Sequence, residues 1–294
     1  MTRAAVLLLL AAGRLNAQEL EPRALINAPV GTNFVLVSTG YLFGNLLLDP
    51  ALPLENGEAD VWTFAGSYAR AIDFFGLAGK IGVGVPFATG KWSAAVNGID
   101  TTATRSGFGD PVFRLSVNFL GSPALTPQEF RGYRQSTVAG LILAVTAPLG
   151  QYNPERLINL GSNRWSLATR LGLSHNFGKW IVEGYATGTF YTANQDFFGG
   201  NTLEQHPLFD GQLHVIRFIG SPFFWVAGSA GYAWGGRSVL NGVEKQSLDN
   251  KRLSLAVRKP FGRQHAIKAA YINGLSTRLG SDFDTFQLAW QYAW

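Results

Sequence analysis

"FDTFQLAWQYAW", Phe283–Trp294, ends the chain and decides how the rest of it is read. Every second residue is large and apolar: Phe286, Leu288, Trp290, Tyr292 and Trp294. The residues between them are Thr285, Gln287, Ala289, Gln291 and Ala293. Strand side chains point alternately to opposite faces, so this is a strand with one apolar and one small or polar face. The apolar face meets either a protein core or lipid.

The same period of two runs through the chain. "RWSLATRLGLSHNF" sets Trp165, Leu167, Thr169, Leu171, Leu173, His175 and Phe177 against Arg164, Ser166, Ala168, Arg170, Gly172, Ser174 and Asn176. "KRLSLAVRK" and "DPVFRLSVNF" repeat the pattern. The second faces are too polar to pack against another sheet and suit a water-containing lumen. The alternation predicts twelve strands, at about 32–44, 58–72, 76–88, 107–120, 135–148, 162–177, 179–193, 207–219, 222–235, 250–260, 264–274 and 283–294. Each can cross a bilayer as a tilted strand, which takes about 9–11 residues. Short turns alternate with longer connections, read as loops over 45–57, 89–106, 149–161, 194–206, 236–249 and 275–282. The expected fold is all-β, an up-and-down transmembrane barrel of twelve antiparallel strands with both mature termini on the periplasmic side. The connection 121–134 is long for an inward turn and has no explanation at this level.

Composition agrees. Only 15% of residues are charged, 35 are glycine, and there is no cysteine, so backbone pairing must hold the fold without disulfides. The net charge of +5 comes in no cluster, which argues against a nucleic-acid partner. Residues 1–17 read as a secretory signal: Arg3, an apolar run over Ala4–Gly13, and Ala17 before a cut at Gln18. The expected mature domain is 18–294, in the outer membrane of a Gram-negative bacterium.

Parity points Lys80, Asp110, Arg114, Arg170, Glu183, Arg252, Arg258 and Lys268 into the lumen. Such charges set pore selectivity. "TAPLGQYNPERLINLGSNRW", Thr146–Trp165, reads as a long extracellular loop. Its Tyr152, Asn153, Arg156, Asn159, Asn163 and Arg164 serve either as loop architecture or as a gate over the pore mouth. The four histidines fit no metal site; His206 and His214 are about 27 Å apart along a strand. Ser174 and His175 are adjacent and face opposite sides, which disfavours a nucleophile–base pair.

With "GFGDP" at Gly107–Pro111, "EQHP" at Glu204–Pro207 and "YAWGGRS" at Tyr232–Ser238, the Thr146–Trp165 motif resembles a family of outer-membrane transporters. That family is named for association with a meta-cleavage pathway of phenol degradation. The resemblance runs from about residue 30 to the end. It implies a barrel with a role in uptake of aromatic or other hydrophobic compounds; no catalytic residue carries over from it, and no cofactor is expected. Gln287, Tyr292 and Trp294 resemble the terminal signal that barrels show to their assembly machinery, with Ala289 where glycine is usual. The expected partners are lipid, that machinery and a small-molecule substrate. The competing readings are a lipase-like outer-membrane enzyme and a structural or adhesive barrel.

Overall fold

The structure is a computed structural model that describes residues 20–47, 54–96, 99–277 and 280–294. The signal segment 1–17 and the cut before Gln18 lie outside the described residues. The barrel begins with β1 (Asn33–Leu47), β2 (Leu54–Phe74) and β3 (Leu77–Val96), followed by β4 (Ile99–Phe108) and β5 (Val112–Leu120). The helix α1 (Pro127–Phe130) then precedes β6 (Thr137–Thr146), β7 (Ser166–Phe177) and β8 (Trp180–Tyr191). The short β9 (Asn194–Phe197) and β10 (Asn201–Gln205) separate β8 from β11 (Leu208–Ile219) and β12 (Ser221–Gly235). Two further short strands follow, β13 (Ser238–Leu240) and β14 (Val243–Glu244). The chain finishes with β15 (Leu248–Phe261), β16 (His265–Thr277) and β17 (Gly280–Ala293).

Neighbouring strands pair antiparallel, and β1 pairs with β17 to close the sheet. With β4 and β5 as two halves of one wall strand, the barrel has twelve antiparallel strands. Closure through the β1–β17 seam pairs the wall strands with one another around the barrel, as backbone in lipid requires. The burial pattern is inverted relative to a water-soluble protein. On β15, Leu255 is 69% exposed while Ala256 beside it is 7% exposed. On β8, Glu183 is fully buried and points inward. Phe286, Leu288 and Trp290 of the opening motif are exposed on the outer wall, so the apolar face meets lipid.

Two readings need correction. The expected strand 107–120 is broken, and the expected loop 89–106 is a hairpin in which β3 pairs with β4 from Phe87–Phe108 to Val96–Ile99. Below the break β3 pairs with β5 instead, from Gly84–Val112 to Gly79–Val117. The cause is local. Pro111 has no N–H for the ladder, and Gly107 has φ +155°, a conformation that favours glycine. Across the gap the Pro86 carbonyl accepts from Gly109 N–H at 2.9 Å. A strand residue's N–H and C=O point to the same side, so the N–H that Pro86 lacks would face this gap too. The second correction concerns 194–206 and 236–249, read as plain loops. They form a separate four-stranded sheet, β14–β13–β10–β9, above the barrel.

The unexplained connection 121–134 carries α1, held by a Thr126–Glu129 capping box. It receives the N-terminal segment: Val30 N–H donates to Leu125 O at 2.8 Å and Asn27 Nδ2 to Pro123 O at 3.1 Å.

Candidate functional site

The residues before β1 enter the barrel and form a strap along its inner wall. Leu25 is fully buried against Val138 and Tyr185. It sits over a cross-strand pair of glycines, Gly140 and Gly172. A Cβ on Gly140 would lie 2.7 Å from Leu25, so only glycine lets the strap lie this close to the wall. Burying Leu25 contributes about 1.5–3 kcal/mol. Polar contacts set the register. Asn118 Nδ2 donates to Leu25 O at 3.1 Å, and Lys80 Nζ donates to Ala24 O and Ile26 O at 3.2 and 3.0 Å.

Glu183 is the deepest anchor. Its carboxylate accepts from Arg23 N–H at 2.6 Å, Ser174 Oγ at 2.9 Å and Tyr185 Oη at 3.0 Å, and the Arg23 guanidinium lies 3.9 Å away. A buried carboxylate needs this much compensation, because desolvating it costs several kcal/mol.

Above and beside the strap lies a cavity of about 1630 Å³. Its lining includes Lys80, Arg114, Arg164, Arg170, Arg258 and Lys268 from the wall and Glu21 and Arg23 from the strap. The pairs Lys80–Ser116, Ser116–Ile142 and Ile142–Arg170 place Lys80 and Arg170 on one rung of the sheet. Arg114 Nη1 reaches Glu21 Oε2 at 3.3 Å. Lys268 pairs with Arg258 across β15 and β16, and Arg258 donates to Gln291 and to Phe223 O. Arg252 lies on the inner face in the field of Asp282.

Sequence reading missed several inward groups, Arg23 and Glu21 of the strap and Asp210 and His214 of the wall. Glu21 lies outside any strand, so parity has no hold on it. Asp210 and His214 follow the inward parity of β11, and both are buried. His214 Nδ1 lies 2.8 Å from Ser229 Oγ, with its ring edge-on to Tyr185.

Asp110 is inward, but loop amides occupy its carboxylate. Gly150 N–H donates to Oδ1 at 2.8 Å; Ser162 N–H and Oγ donate to Oδ2 at 2.7 and 2.6 Å. The "GFGDP" break and the Thr146–Trp165 loop are therefore one interlocked unit. Gln151 N–H donates to Phe108 O, and Arg105 Nε to Ile158 O. Within the loop, Asn153 N–H donates to Asn159 Oδ1, and Asn159 Nδ2 donates to Asn153 O and Arg156 O. Tyr152, Asn163 and Arg164 reach outward to the loop sheet. Asn194 Nδ2 donates to Tyr152 Oη, Asn163 Nδ2 to Asn194 Oδ1, and Arg164 Nη2 to Gln205 Oε1. Arg164 also lies over the Tyr191 ring at 4.5 Å.

Asp110→Ala should free this loop while leaving the barrel folded, since each buried donor left unpaired costs about 1–3 kcal/mol. Limited proteolysis should then cut within 147–165, whereas Asp110→Asn, which keeps one acceptor, should be cut more slowly. Equal resistance of the parent and Asp110→Ala would refute this role.

The model of the family described as "Putative MetA-pathway of phenol degradation" matches residues 50–257, well over half of the chain. The chain belongs to this family. Among curated proteins no relative matches. Among solved structures, an outer membrane channel from Pseudomonas putida F1 superposes with a TM-score of 0.77 at 19% identity, covering 94% of this chain and all of that one. The transport unit of the autotransporter AIDA-I from Escherichia coli gives 0.55 at 11% identity, with 96% and 94% covered. The β domain of the Bordetella autotransporter BrkA gives 0.52 at 12% identity, with 90% and 100% covered. The family member described here thus has the fold of an outer-membrane barrel, in keeping with its lipid-facing apolar wall.

Proposed function

We propose that this barrel is an outer-membrane channel that admits small molecules, with a preference for anions that carry an apolar or aromatic body. The supporting observation is the charge imbalance around the cavity. The inward acids Glu21, Asp110, Glu183 and Asp210 are outnumbered by the inward bases, and loop amides already occupy Asp110. A positive lining lowers the barrier for anions. Phe34, Leu36 and Ile142 line the same cavity and suit an apolar body. The P. putida protein, an outer membrane channel with this fold, supports a pore. The family description supports aromatic cargo.

A lipase-like activity has less support. Ser174 is buried and donates to Glu183, while the neighbouring His175 lies 2.7 Å from Thr137 Oγ1. Neither is placed to activate the other.

In planar bilayers under a potassium chloride gradient, the reversal potential should show weak anion selectivity. Replacing Arg170 and Arg252 by glutamine should move it toward cations. Cation selectivity in the parent protein would overturn the reading.

A further inference from the structure

The strap is pinned firmly from Arg23 to Gly31, where Gly31 N–H donates to Ala71 O at 2.9 Å. Glu21 lies between two buried parts of the strap, Leu20 against Gly231 and Arg23 at Glu183, yet its own side chain is still 34% exposed to the cavity. That side chain can therefore rotate away from Arg114 while the strap backbone stays docked. In its present position its carboxylate meets Arg114 directly and lies in the combined field of Lys268, Arg170 and Lys80.

We propose that Lys80, Arg114, Arg170 and Lys268 form a carboxylate-binding site in the lumen, and that Glu21 occupies it as an internal ligand which an incoming small organic carboxylate displaces. This deepens the channel reading and rests on it, since the ligand must reach an aqueous lumen.

Three observations support the assignment. The four bases come from β3, β5, β7 and β16, so the barrel wall rather than one mobile loop holds them. Lys80 already spends its ammonium on strap carbonyls, so it adds field, while Arg114 offers the planar fork that suits a carboxylate. Burial works against the charge on Glu21, yet Arg114, Lys268, Arg170 and Lys80 outweigh it and hold the carboxyl at about 2. A depressed value means the attraction is fully present above the ordinary carboxylate range and is lost only as pH falls toward 2. The site therefore holds a charged carboxylate throughout the neutral range. The apolar Phe34, Leu36 and Ile142 line the same cavity and favour an organic carboxylate over a bare inorganic anion.

An internal competitor reduces apparent affinity in proportion to its own occupancy. Calorimetric titration of the whole purified protein in detergent with sodium benzoate should show about tenfold tighter binding to Glu21→Gln and Glu21→Ala than to the parent. Arg114→Gln in the Glu21→Gln background should lose most of that gain. Benzylamine, of similar size and opposite charge, should bind none of them. Equal benzoate affinity in the parent and both Glu21 variants would overturn the proposal, as would inorganic phosphate binding more tightly than benzoate. Faster migration of unheated than of boiled samples on a denaturing gel reports that each variant is a folded barrel. Bilayer currents separate the two ideas. Currents with unchanged benzoate affinity sink the site and leave the channel standing. Tighter benzoate binding without currents sinks the channel and leaves an anion site in a closed barrel.

Discussion

Glu183→Ala is expected to release residues 20–31 from the barrel wall, with a clear rise in single-channel conductance. Glu183 accepts from the Arg23 backbone and faces its guanidinium, with both side chains nearly inaccessible to water. Removing one partner of a buried pair costs about 3–5 kcal/mol, because the other charge stays desolvated without compensation. Arg23 can escape that penalty only by leaving, and the strap leaves with it. Leu25, the two Lys80 contacts and the Asn118 contact resist. They are individually weaker, since a neutral hydrogen bond contributes only about 0.5–1.5 kcal/mol net. Glu183→Gln keeps an acceptor and loses the charge, so it should fall between. The barrel itself should survive, because β8 remains paired along its length with β7 and β11. Hydrogen–deuterium exchange over 20–31 should accelerate more in Glu183→Ala than in Asp210→Ala, whose carboxylate accepts from Gln212 on its own strand. Unchanged exchange in Glu183→Ala would show that the strap is held by other contacts.

The barrel was legible because lipid outside and water inside enforce one rule on every wall strand. Leu253 and Leu255 against Ser254 and Ala256 carry it plainly. It blurs where both parities are small. Between Ile99 and Phe108, "DTTATRSG" offers no large apolar residue to mark a face, so most of β4 reads as loop. A signal was present nearby: Asn97-Gly98 is the favoured sequence for a two-residue hairpin, though those two residues lie outside the described ones. Parity placed Glu183 and Asp110 inward, but it could not show what they hold. Glu183 meets a segment 160 residues away, and Asp110 meets a loop 40 to 52 residues away. The strap "LEPRALINAPV", Leu20–Val30, has no period because it belongs to no sheet. Its one local hint is Glu21 and Arg23, charges beside Leu20 and Leu25 in a segment that leads into a membrane strand. Non-local contacts decide such a segment, and periodicity reports only local geometry.

The other large effect lies at the closure seam. Deleting Trp294, or replacing Tyr292 and Trp294 by serine, should reduce outer-membrane yield by roughly tenfold, the change that about 1.4 kcal/mol of lost stabilisation makes in an equilibrium. β17 closes on β1 from Phe34–Ala293 to Leu47–Gly280. Trp294 finishes the seam: it accepts from Asn33 N–H at 2.9 Å and donates to Asn33 O at 3.1 Å. Deletion leaves both Asn33 groups unpaired at the barrel rim, where water beyond the lipid offers only a partial exchange. The serine variant keeps that backbone pairing and removes the rings. Trp290, Tyr292 and Trp294 stack along the outer wall, with centroids 6.2 and 5.2 Å apart, and His265 lies 4.9 Å from Tyr292. Such rings favour the membrane interface and fix the height of the strand end. On the proposal that Gln287, Tyr292 and Trp294 are also read by the assembly machinery, the serine variant should fail as badly as the deletion despite its intact seam. Gln291→Ala is the matched control. Its side chain faces the cavity and accepts from Arg258, so it should alter the lumen and leave yield near that of the parent. Yield comparable to Gln291→Ala in the serine variant would assign the terminal rings no part in assembly, and the same result for the deletion would show that closure does not depend on the last residue.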